Sequence, residues 1–146
     1  MANKDNFEEL SPNFKKVLIS KGKSLHPFWS LLGIELVDIK KGWAVVKLNF
    51  DQKLTQADGN VDGGAIFSAA DSAVGMALIG MIERSQTLVT LEMKLNYFKP
   101  IKKGLLFAEA FIVKKEFNTA LGEVEVKTDS GVLIAKALAT YMIIPK

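Results

Sequence analysis

One carboxylate stands deep in an otherwise apolar stretch. From Val61 to Ile82 the only charged side chains are Asp62 and Asp71. Burying an unpaired carboxylate is costly, so such a group is usually paired, hydrogen-bonded or raised in pKa. Eight residues before Asp71, the pair Gly63-Gly64 opens what reads as a helix. A helix N-terminus offers backbone N–H groups that no intrahelical carbonyl uses, and these can hold a developing oxyanion. An acid or nucleophile together with amide donors is the minimum equipment for acyl transfer. Each of these residues also has a plainer reading. Asp71 could bond the hydroxyls of Ser68 or Ser72, and Asp62 is well placed as the N-cap of the helix. Two glycines in a first turn cost about 1 kcal/mol each relative to alanine, so close backbone approach to something must compensate.

The elements that position these groups follow from periodicity. The run Gly63 to Ile82 is apolar almost all round, which predicts a helix enclosed on every side. Upstream, Ser11-Pro12 reads as an N-cap with proline at the first helical position, and Gly22 as the stop. That gives a helix over about 11–22, with Phe7, Leu10, Phe14 and Val17 recurring at helical spacing and Lys15, Lys16 and Lys23 on a solvated basic side. His26-Pro27-Phe28-Trp29 begins a short connection. Ile34 to Ile39 and Trp43 to Phe50, split by Lys40-Lys41-Gly42, read as a hairpin. Asp51 to Asn60 is a loop carrying the turn signal Asp58-Gly59. Four strand-like runs follow the apolar helix: Thr87 to Phe98, Leu105 to Glu116, Leu121 to Thr128 and Val132 to Ile143. The predicted class is α+β, one domain over 1–146, with a strongly curved antiparallel sheet wrapped around a long central helix.

Bulk properties narrow the function. The 146 residues carry a net charge of +3, with 49% hydrophobic and 24% charged side chains, an ordinary balance for a soluble domain. Neither that charge nor any motif points to nucleic acid. With no cysteine there is no thiolate nucleophile, disulfide framework or thiolate metal site, and no metal or cofactor is expected. The polar start MANKDNFEEL lacks the apolar core of a signal peptide. The stretch Ala65 to Ile82 approaches membrane-spanning length, but a central Asp costs about 2.5–3.5 kcal/mol on insertion scales. A cytoplasmic, membrane-free protein is the expectation.

Four blocks bring a family into view: GNVDGGAIFSAADSAVG from Gly59, VTLEMKLNYFKP from Val89, the strand around Ala108-Glu109-Ala110, and GVLIAKALATYMI from Gly131. Together they resemble the hotdog-fold acyl-CoA thioesterases, in particular the small thioesterases of the phenylacetate-pathway type. The resemblance spans roughly Leu31 to Ile144. It implies a hotdog fold, dimers or dimers of dimers with active sites shared between subunits, and an acyl-CoA substrate whose CoA is not a separate cofactor. It also implies roles for Gly63, whose N–H polarises the thioester carbonyl, and for Asp71, as general base on water or as nucleophile. Thr90 matches the strand Ser or Thr that helps place the water or the carboxylate.

Two positions depart from the family pattern. Its histidine is Asp62 here, and its asparagine six residues earlier is Gln56. Glutamine supplies the same amide chemistry with a longer reach. Aspartate does not replace histidine, since an ionised carboxylate can only accept. The alternative to hydrolysis is therefore a non-catalytic or altered acyl-CoA-binding hotdog protein. Gly64, Phe67 and Lys99 complete the expected substrate contacts, with Lys99, Lys102 and Lys103 available to the CoA phosphates. His26 reads as a surface or cap residue.

Overall fold

The computed structural model describes residues 2–146. Helix α1 (Pro12–Leu25) and the short α2 (Pro27–Leu32) lead into the hairpin β1 (Ile34–Lys40) and β2 (Trp43–Asn49). Helix α3 (Gly63–Ile79) follows, then β3 (Gln86–Tyr97), β4 (Leu105–Lys115), β5 (Thr119–Thr128) and β6 (Leu133–Pro145). All pairings are antiparallel, in the order β1-β2-β4-β5-β6-β3. Chain order is broken by β3, which pairs only with β6 and forms one edge.

Helix α3 touches all six strands. Six strands about 4.8 Å apart make a sheet about 24 Å wide, at least twice the diameter of a helix, about 10–12 Å. A flat sheet could not reach one helix with every strand, so the sheet curves around α3. This is the expected hotdog arrangement. Ala70, Ala73, Val74, Ala77 and Leu78 are buried on α3 against Val46, Val124 and Ile134 of the sheet. Small residues on the helix let the strands close in. At Gly122 on β5 even a methyl group would collide with Val74 Cγ1.

Four expectations are corrected. The first helix does not stop at Gly22; it runs to Leu25 with Gly22 buried inside it. A Cβ at Gly22 would lie 3.5 Å from the Trp29 ring, so the glycine allows close packing rather than termination. The predicted apolar spacing also fails to mark the buried face, since Phe14 and Val17 are 39% and 45% exposed. The packed face carries Leu18 and the buried Gly22 instead, with Lys15 beside it pairing its Nζ with Asp38 at 2.6 Å and Glu9 at 3.2 Å. Helix α3 ends at Ile79 rather than Ile82, because the β1–β2 turn closes it. There the Gly42 N–H donates to the Ala77 carbonyl at 3.1 Å, and a Cβ at Gly80 would be 2.9 Å from the Lys40 carbonyl oxygen.

The fourth correction matters most for function. Helix α3 is not enclosed on every side. A stripe of Phe67, Ser68, Asp71, Ser72, Gly75 and Ile79 is open or half-buried. Asp71 itself is half-buried, not shut away from water.

Candidate active site

The stripe puts Asp71 opposite the β3–β6 pair. Thr90 and Tyr141 are direct cross-strand partners, so both side chains leave the same face of the sheet. The register shifts between Thr90 and Glu92, and a bulge of this kind re-aims the neighbouring side chain. Thr90 Oγ1 donates to Asp71 Oδ1 at 2.9 Å and lies 3.3 Å from Oδ2. The Tyr141 hydroxyl lies 2.5 Å from Oδ1 and 2.7 Å from the Asp71 carbonyl. Its single proton serves one of the two at a time. Burial, and then the Asp71 charge, pushes the Tyr141 phenol far above its usual range. It therefore stays protonated, a donor at any working pH.

Ser68 does not hold Asp71; its hydroxyl donates to the Gly64 carbonyl at 2.8 Å. Sequence reasoning missed Tyr141 altogether. The signal was slight, one of two adjacent hydroxyls, Thr140 and Tyr141, in the run LIAKALATYMI. Assigning it needed the strand register.

The N-terminus of α3 carries the second group of predicted residues. Asp62 is its N-cap and accepts from the Gly64 N–H at 2.7 Å. The Gly63 N–H finds no acceptor among the described residues. Its carbonyl accepts from the Tyr97 hydroxyl at 2.7 Å, another partner invisible in the sequence. Gln56, Gly63 and Lys99 line one cavity of about 370 Å³, with Tyr97 and Phe98. Asp62 and Gly64 border another, which shares no lining residue with the first. Burial, followed by the Asp62 charge, raises the Tyr97 phenol.

The two groups do not meet within one chain. Eight residues of helix separate Gly63 from Asp71, about 12 Å along the axis. Phe67 and Asp71 line a cavity of about 470 Å³; Asp71 and Thr90 line another of about 370 Å³. His26 borders both and stacks on Trp29 with ring centroids 4.5 Å apart. It stands nearer the acid than the sequence indicated. Among the described residues no cluster of His, Cys, Asp or Glu could hold a metal ion. Nor is any helix long and apolar enough to cross a membrane.

A six-stranded antiparallel sheet around one helix, with a carboxylate and a helix-start amide displaced along it, defines the class. Residues 58–135 match the Thioesterase superfamily, and the chain belongs to it. A relative from Saccharolobus solfataricus is 30% identical over 143 residues, covering 98% of this chain and 92% of that protein. The medium/long-chain acyl-CoA thioesterase YigI of Salmonella typhimurium is 26% identical, covering 80% of this chain and 85% of its own. Among solved structures, a point mutant of the phenylacetic acid degradation protein PaaI from Thermus thermophilus superposes with a TM-score of 0.74. It is 28% identical and the match covers 80% of this chain and 98% of that one.

Proposed function

We propose that the protein hydrolyses acyl-CoA thioesters, with Asp71 of one subunit acting opposite the Gly63 N–H of another. The observation that carries this reading is the grip on Asp71. Two O–H donors converge on Oδ1, leaving Oδ2 with only the longer Thr90 contact. That oxygen is free to take a proton from water or to attack the carbonyl carbon. In the first route the water oxygen bonds to that carbon while its proton passes to Asp71. The C–S bond then breaks, and the CoA thiolate leaves and is protonated. In the second route Asp71 Oδ2 bonds to the carbonyl carbon, and the C–S bond breaks with departure of the CoA thiolate to leave an acyl–Asp71 anhydride. Water then opens it to the free acid and the Asp71 carboxylate. Both need the carbonyl oxygen held by an amide such as that of Gly63. Lys99 and its neighbours Lys102 and Lys103 supply charge for the CoA phosphates.

The separation of the two groups supports a shared site. So does β3, a twelve-residue edge strand with Val89, Leu91 and Tyr97 42%, 51% and 49% exposed. A long apolar edge of this sort calls for a partner, and a second copy paired there is the simplest one. The superfamily of the chain and the named activity of its YigI relative point to the same chemistry.

The test is release of CoA thiol, read without background because the protein has no cysteine. Asp71→Asn is expected to lower kcat at least about 100-fold, in the range typical of a lost general base. Tight acyl-CoA binding with no thiol release by the wild type would instead favour a non-catalytic binding protein. Asp62 caps the helix start through the Gly64 N–H, which accounts for the residue without giving it the role of a histidine.

A further inference from the structure

Gly75 lies one helical turn beyond Asp71 on the open stripe of α3. A Cβ there would stand 3.3 Å from the Tyr141 hydroxyl and 3.7 Å from Leu88 Cδ1. Without one, the cavity of about 370 Å³ that begins at Asp71, Thr90 and Tyr141 continues past Gly75. Its far walls are Leu18, Met76, Ile79 and Leu88, with Trp29 at the side. From Asp71 to Ile79 the helix advances about 12 Å.

We propose that this cavity holds the tail of the acyl group, an unbranched aliphatic chain of medium length, with Ile79 closing the far end. The proposal rests on the reading of Asp71 as the acid of a thioesterase. Three features favour this occupant. The acid and both hydroxyls that hold it belong to the same cavity, so a carbonyl placed at Asp71 stands within reach of its interior. The far walls are mostly flexible aliphatic side chains, suited to a chain rather than a rigid ring. No lysine or arginine lines the cavity, and His26 lies stacked on Trp29 rather than on the far walls. An acyl group ending in a carboxylate would therefore reach Leu18, Met76, Ile79 and Leu88 without a charged partner there. The neighbouring cavity is a poorer choice. It includes Asp71 but neither Thr90 nor Tyr141, and its rim residues Leu25, Phe28 and Phe67 are 62%, 56% and 37% exposed.

Each methylene buried is expected to raise kcat/KM roughly fourfold until the cavity is full. The experiment measures thiol release from acetyl-, hexanoyl-, decanoyl-, hexadecanoyl-, benzoyl- and glutaryl-CoA. The wild type should peak at hexanoyl or decanoyl and discriminate against glutaryl. Ile79→Trp should lower the decanoyl-to-acetyl ratio of kcat/KM at least tenfold, and Ile79→Ala should move the peak to longer chains. A preference for benzoyl-CoA, or a chain-length profile unmoved by both variants, overturns the tail site while hydrolysis stands. If the wild type releases no thiol, the activity reading fails instead, and calorimetry decides the cavity. Decanoyl-CoA binding tighter than CoA, and weakened by Ile79→Trp, supports it; equal binding of decanoyl-CoA and CoA overturns it.

Discussion

Two hydroxyls from one cross-strand pair converge on a single carboxylate oxygen. Thr90 could be anticipated from the sequence because its block follows the helix at a recognisable interval. Tyr141 could not: it lies 70 residues from Asp71, and only the β3–β6 register brings it there. Asp62 shows the opposite case, a position where capping was legible directly from residue type and place. The grip on Asp71 leads to a specific expectation for Tyr141→Phe. Losing a hydrogen bond to a charged group should reduce stability by about 1.5–3 kcal/mol, measured by denaturant unfolding. Release of Oδ1 should also lower kcat by about 10–100-fold with KM little changed, since small misplacements of reacting groups are costly. A variant that loses stability but keeps its kcat would assign Tyr141 to the core alone.

The elements were readable where hydrophobic period and turn chemistry agreed. Every strand and the central helix were anticipated, because alternating or continuous apolar runs were punctuated by Lys-Gly and Asp-Ser-Gly turns. The ends were less legible, and glycine was the reason. Gly22 looks like a terminator, yet it serves the approach of α1 to Trp29. The stop of α3 depends on a hairpin tip about 40 residues upstream, which no local pattern encodes. The open stripe of α3 was hidden for a related reason: Phe67, Gly75 and Ile79 are as apolar as residues of the core. Gly122 gives the cleanest test of how tightly the sheet is drawn onto the helix. Gly122→Ala forces its methyl into the fully buried Val74. The expected destabilisation is about 1–3 kcal/mol, as for other overpacked cores, read as a lower denaturant midpoint with an unchanged m-value. No loss would mean that β5 can retreat from α3 freely.

Across the whole molecule, one helix bears an acid halfway along and an unpaired amide at its start, on opposite sides of a gap of about 12 Å. If a functioning centre draws one component from each copy, two differently crippled chains should rescue each other. Asp71→Asn removes the acid. Gly63→Pro removes the amide hydrogen at a first helical position, where proline is favoured. Asp62 already holds the extended backbone that precedes proline, at φ −61° and ψ 136°, and the Tyr97 hydroxyl, 3.1 Å from where the Cβ would stand, must shift by a few tenths of an ångström. Each homodimer should be nearly inert, the second losing about 10²–10³ in kcat. A heterodimer isolated through two different affinity tags would combine one doubly damaged centre with one wholly native centre. It should recover about half the wild-type turnover per dimer. A purified heterodimer as inert as its parents would end the case for centres built across the subunit boundary.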